Sequence, residues 1–270
     1  MATPIDIREE AGVRTLHFGS EWIQGAMRIA RPWNLELEYT REMMAALLLR
    51  EGGGKAAGNP PAHSSRVLRD DASWPRKVLL IGLGAASLTK FLYRNFPLAH
   101  LTVVEIEPGV VAAARQFFKL PEDPKRINIV IGDGVEYVLN SDKKFDLILV
   151  DGYDENASSG ALDTLPFYQA CRARLSKDGI LSVNLLTSNR RFNGSITRIA
   201  EAFDDRVLAF PSCESGNAIA LAAEGDPVEI SFYDLREKAL GLNKETGLNL
   251  MPGIARLERA QSCVGGILKL

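Results

Sequence analysis

The chain has 270 residues, 46% hydrophobic and 24% charged, which excludes a wholly disordered polypeptide and supplies enough apolar material for a sizeable core. Its 32 basic and 34 acidic side chains leave a net charge of −2, so no bulk attraction to nucleic acid is expected. No apolar run reaches the roughly 18 residues of a membrane span, and the acidic start MATPIDIREEAG lacks an apolar signal core. A cytoplasmic protein without a membrane or nucleic-acid partner is therefore expected.

Val13–Phe18 and Trp22–Ile29 read as two strands joined by a turn at Gly19-Ser20. Leu35–Arg50 reads as one helix with a broad apolar face. Together, residues 1–50 form a first unit. Residues 51–75 are rich in Gly, Pro and Ser and read as a linker. From Lys77 the pattern becomes strand and helix in alternation. Strands are expected over Lys77–Ile81, Leu101–Glu105, Ile127–Ile131, Phe145–Val150 and Ile180–Leu185. Helices are expected over Ser87–Asn95, Val110–Phe118, Gly134–Asn140 and Leu165–Leu175. Continuous apolar strands such as VLLI and DLILV fit a sheet buried on both faces. Such alternation predicts an α/β, doubly wound, Rossmann-like parallel sheet.

A helix over Gly194–Phe203 follows, then short strands at Val207–Phe210 and Asn217–Ala222. The connection between those strands is too short for a helical crossover, so they should pair antiparallel. That ending is closer to a class I methyltransferase-like sheet than to a plain dinucleotide fold. Residues 76–225 thus form one Rossmann-like domain. Residues 226–270 are an extension with a helix near Phe232–Leu240 and irregular chain beyond it. Cys171, Cys213 and Cys263 are too few for a disulfide framework and read as buried, inert thiols. His17, His63 and His100 lie too far apart for a metal motif, so no metal is expected.

Three strand ends carry ligand-suited groups. The first strand runs into Gly82-Leu83-Gly84-Ala85-Ala86, where glycines allow a tight turn and close approach of a ligand to a helix N-terminus. The second ends in Glu105, a carboxylate able to accept both hydroxyl hydrogens of a ribose. The third ends in Gly132-Asp133-Gly134, where a carboxylate suits an adenine amine; the bland alternative for Asp133 is a helix cap. All three lie on the carboxyl edge, where open α/β sheets bind ligands. An adenosyl ligand is favoured over NAD because Ser87 stands at the third small position of the dinucleotide fingerprint.

The fourth strand, FDLILVDGYD over residues 145–154, adds Asp151 and Asp154. With the glycine loop, VVEIE and IGDG, it resembles the spermidine synthase (polyamine aminopropyltransferase) family. The resemblance runs from about Val13 to Ala222. It implies that Glu105 holds the ribose and Asp133 the adenine, with Gly82, Gly84 and Gly134 lining the nucleoside. It implies that Gln24 contacts the nucleoside and that Asp151 is catalytic. Asp154 and Tyr39 would belong to the amine site. The donor would be decarboxylated S-adenosylmethionine, or S-adenosylmethionine itself, the partner a small amine, and the assembly a homodimer.

Asp151 suits that role chemically. An amine near pH 7 is protonated and cannot attack. A carboxylate can hold the ammonium and accept its proton as nitrogen attacks carbon beside a sulfonium. Capping the following turn is the bland alternative. Asn184, at the end of the fifth strand, either lines the substrate pocket or is simple polar strand termination. Glu214 could face an amine, and Arg190, Arg191 and Arg198 either meet an anion or form a solvated face.

The sequence also departs from the family pattern. The family's glycine loop carries an aspartate that holds the donor amine, and this chain has Ala85 there. The expected Asp-Pro and Gly-Pro elements are replaced by Asp154-Glu155-Asn156-Ala157. Three readings follow: aminopropyl transfer with Asp151 as base, a methyltransferase on the same scaffold, or an adenosyl-binding protein without turnover.

Overall fold

The computed structural model describes residues 4–50, 74–153, 158–187, 192–213, 216–260 and 264–270. The chain opens with an antiparallel sheet of three strands, β1 (Asp6–Glu10), β2 (Val13–His17) and β3 (Ile23–Arg28). β2 and β3 are the expected hairpin. β1 was not expected: its sequence, DIREE, is polar and exposed and carries no alternating pattern. The helix α1 (Glu38–Met43) gives way to a 3-10 turn over Met44–Leu48, so the single helix expected over Leu35–Arg50 is broken. Met43, Met44, Ala45 and Ala46 are all buried. One stripe of an α-helix cannot bury four successive side chains. Here the segment lies between the main sheet and a C-terminal helix, so every side has a partner.

The main sheet comprises β4 (Lys77–Ile81), β5 (His100–Glu105), β6 (Ile127–Ile131), β7 (Phe145–Val150), β8 (Leu175–Leu186), β9 (Val207–Ala209) and β10 (Asn217–Ala223). Its order is β6-β5-β4-β7-β8-β10-β9. Strands β4 to β8 pair in parallel, and β10 runs antiparallel to both β8 and β9. The connecting helices are α2 (Ser87–Asn95), α3 (Pro108–Phe117), α4 (Gly134–Asn140), α5 (Leu165–Arg174) and α6 (Phe192–Ala202). β8 starts before the expected Ile180, but its ladder with β7 is regular only from Ile180 onward.

Alternation of side chains divides the sheet between two cores. Val78 and Leu80 join one, with α1, α2 and α3. Leu79 and Ile81 join the other, with α4, α5 and α6. The unbroken apolar runs of the strands are what this double burial requires.

The C-terminal extension is more ordered than expected. After β11 (Glu229–Ser231) comes α7 (Phe232–Thr246), capped by Ser231 and closed at Gly247 with φ +76°. A second helix, α8 (Met251–Arg259), and a strand β12 (Ile267–Lys269) paired with β11 replace the expected irregular chain. Among the described residues no helix is long and apolar enough to cross a membrane.

α8 is fastened to α1 by Arg256. Its guanidinium reaches Glu38 Oε1 at 2.6 Å and also pairs with Glu42, which is 3% exposed. Burial pushes the Glu42 carboxyl up to about 7, against the pull of Arg256 and with repulsion from Glu38. A raised carboxyl pKa means that its stabilising contribution is complete below the ordinary 4.5 and is lost as pH rises through about 7. Glu42→Gln is therefore expected to gain on the native protein by about 3 kcal/mol between about pH 5 and about pH 8. Urea unfolding at the two pH values measures that difference; a pH-independent gap would contradict it.

Candidate active site

Five successive parallel strands bring their carboxyl ends to one edge, where Glu105 ends β5 and Asp133 and Asp151 follow β6 and β7. The turn after β4 is built on Gly82, at φ +92°. Its N–H donates to Val104 O at 2.9 Å, and Asp151 N–H donates to Ile81 O at 2.9 Å. The end of β4 is thus pinned between Glu105 on β5 and Asp151 after β7. A Cβ on Gly82 would sit 2.2 Å from the Asp151 carbonyl oxygen, so only glycine fits.

Glu105 is buried, and each of its oxygens already accepts one bond. Leu83 N–H reaches Oε2 at 2.9 Å, and Glu107 N–H reaches Oε1 at 3.0 Å. Burial raises its pKa, with the backbone donors opposing. A carboxylate oxygen has a second lone pair, so acceptor capacity remains on both. Asp133 does cap α4: its Oδ1 accepts from Val135 N–H at 2.7 Å and Glu136 N–H at 3.0 Å. Both bonds fall on one oxygen, so capping and ligand contact are compatible. Gly134 closes against the end of β4, where a Cβ would meet Ile81 Cγ2 at 2.5 Å.

The N-terminal sheet forms one wall of this edge. Gln24 O lies 2.8 Å from where a Cβ on Gly84 would sit. A Cβ on Gly25 would meet the Ala85 nitrogen at 2.6 Å and its Cβ at 2.7 Å. Ser87 Oγ donates to Ala26 O at 3.1 Å. β3 therefore packs directly on the glycine loop, with Ala85 buried beneath it.

Asp151 sits at the centre of a second cluster. Tyr39, on α1, donates its hydroxyl to Asp151 Oδ2 at 3.2 Å. Asn184, on β8, donates Nδ2 to Asp151 Oδ1 at 2.8 Å. Burial raises the Asp151 pKa, and the bonds from Asn184 and Tyr39 pull it back. Burial and the neighbouring Asp151 drive the Tyr39 hydroxyl well above its usual range, so it stays a donor. Asn184 is thus engaged with the carboxylate rather than simply ending its strand. Asp154 and Glu214 lie outside the described residues, as do Arg190 and Arg191. Arg198 is not a free anion site: it binds Asp163 Oδ2 at 2.6 Å, which also accepts from Ser195 Oγ at 2.8 Å.

Three participants were not singled out from the sequence. Tyr153 donates its hydroxyl to Asn184 O at 2.6 Å, and the DGYD motif held that signal. Asn217 donates to Asn184 Oδ1 at 2.9 Å. Cys213, read from the sequence as an inert thiol, is buried near Tyr39.

A family model described as "Spermine/spermidine synthase domain" matches residues 63–189. The polyamine aminopropyltransferase of Chromobacterium violaceum is 33% identical over 264 residues, covering 98% of this chain and 93% of that protein. The chain belongs to the spermine/spermidine synthase family. A spermidine synthase solved with the transition-state analogue AdoDATO has a similar fold, with TM-score 0.61 and 23% identity over 94% of this chain and 84% of that one. Human methyltransferase-like protein 13, solved with SAH, also matches, with TM-score 0.62 and 21% identity over 78% of this chain and 93% of that one. These last two likenesses speak for the fold alone. They agree with the expected methyltransferase-like sheet and its antiparallel ending.

Gly82→Ala is expected to destabilise the protein by about 3 kcal/mol or more, because it combines backbone strain with a clash against Asp151. Gly12→Ala has the same kind of positive φ, at +76°, but nothing within 4 Å. It should cost only about 1 kcal/mol. Thermal unfolding of both variants checks the contrast; equal losses would remove the close packing of Gly82 on Asp151.

Proposed function

We propose that the protein transfers an aminopropyl group from decarboxylated S-adenosylmethionine to a di- or polyamine, with Asp151 as the base. The observation that carries this reading is the half-buried Asp151 carboxylate, held on both oxygens beside the Gly82 turn. The family membership and the name of the Chromobacterium relative support it.

The nucleoside part of the donor would lie along the glycine loop, its ribose on Glu105 and its adenine on Asp133. Gly82, Gly84 and Gly134 let the loop pack closely on Asp151, Gln24 and Ile81, which shapes the edge along which the nucleoside would lie, with Gln24 contacting it from β3. The amine would enter beside Asp151 and Tyr39, with Asp154 as a further acidic group. Attack forms the nitrogen–carbon bond and breaks the carbon–sulfur bond, and methylthioadenosine leaves. The proton lost from nitrogen passes to Asp151. A base whose pKa is lifted by burial accepts that proton more readily than an exposed aspartate would. The sulfonium supplies the leaving-group drive, and the protein supplies in-line placement. A cytoplasmic homodimer acting on small amines goes with this reading.

Methyl transfer has support from the fold alone. The purified protein is expected to release methylthioadenosine from the decarboxylated donor and putrescine. Asp151→Asn should lower kcat by about 100-fold or more, the usual reach of a positioned base. Equal rates for the two proteins across a panel of amines would reject the reading. In calorimetry the decarboxylated donor should bind more tightly than S-adenosylmethionine; the reverse order would favour methyl transfer.

A further inference from the structure

Behind Asp151 the hydrogen-bonded chain extends one residue beyond Asn184. Asn217, the first residue of β10, donates Nδ2 to Asn184 Oδ1 at 2.9 Å. Asn184 then donates its own Nδ2 to Asp151 Oδ1 at 2.8 Å. Both asparagines are buried, at 8% and 4% exposure. The strand register builds the contact: Asn184 pairs with Ile219 and Leu186 with Asn217 across β8 and β10. The two asparagines are therefore diagonal neighbours on one face of the sheet.

A side-chain amide has a donor end and an acceptor end of nearly the same shape. Turned one way, Asn184 offers Asp151 an N–H. Turned the other way, it offers an oxygen, which repels the carboxylate. The ionised carboxylate favours the N–H end, and a donor placed on the Asn184 oxygen strengthens that preference. We propose that Asn217 is a positioning residue for the reaction: it holds the Asn184 oxygen, so that the amide N–H always faces Asp151. This rests on the reading of Asp151 as the proton acceptor.

The bond from Asn184 favours the ionised form of Asp151, so its loss should make the carboxyl hold its proton more tightly. Other titratable groups surround the site. Tyr39 reaches Asp151 from α1, and Tyr153 faces it from the following loop. Cys213 stands by Tyr39, and Asp163 by Tyr153. Cys213 N–H donates to the backbone oxygen of Asn217 at 2.8 Å, a bond that a side-chain substitution there retains.

The test uses the full chain with 13C-labelled aspartate carboxyls, the Asp151 signal being the one absent in Asp151→Asn. Asn217→Leu keeps most of the volume, and Asn217→Ala removes it; either suffices if near-UV circular dichroism shows that it is folded. The Asp151 titration midpoint is expected to rise by about one pH unit, or about tenfold in proton affinity, the usual worth of a neutral donor to a charged group. The acid limb of kcat/KM for aminopropyl transfer should move up with it. An unchanged midpoint in a folded variant, with only a lower melting temperature, overturns the proposal and leaves Asn217 a structural residue. Full turnover by Asp151→Asn would instead overturn the reading of Asp151, whatever the titration shows.

Discussion

A carboxylate drawn partly out of water needs its lost solvation replaced by protein groups, and much of this edge is arranged to do so for Asp151. The hydroxyl of Tyr39 and the amide of Asn184 each take one oxygen. Both donors are neutral, so they orient the carboxylate without cancelling its charge. A lysine or arginine in their place would hold the group more strongly, but would depress its affinity for a proton. Glu105 follows a related pattern with backbone N–H donors, on the far side of β4 along the same edge. The glycine turn between them has no side chain because the Asp151 backbone already occupies that space.

The sheet was legible because its inner strands are buried on both faces and so appear as largely apolar runs. Glu105, Asp133 and Asp151 were legible because each ends such a run. Other features depended on partners distant in the chain. Asn217 meets Asn184 only through the register of β8 and β10, and no local pattern states that register. Arg256 meets Glu38 and Glu42 more than 200 residues away. The break between α1 and the following 3-10 turn comes from being enclosed on all sides, which a one-sided apolar pattern does not express. β1 is polar because it edges a small outer sheet rather than a core.

The extension after β10 gains meaning from the same geometry. α1 supplies Tyr39 from one side and presents Glu38 and Glu42 to Arg256. The helix that donates to Asp151 is therefore braced by the C-terminal helix. The terminal segments and the central sheet share one apolar core, which runs from Leu16 to Leu270.

The contact between β3 and the glycine loop has a consequence for how this edge can deform. Gly25 has no room for a side chain, because the backbone and methyl group of Ala85 already fill that volume. Any larger residue at position 25 could be seated only by lifting β3 away from the loop, which would part the N-terminal sheet from the ligand edge.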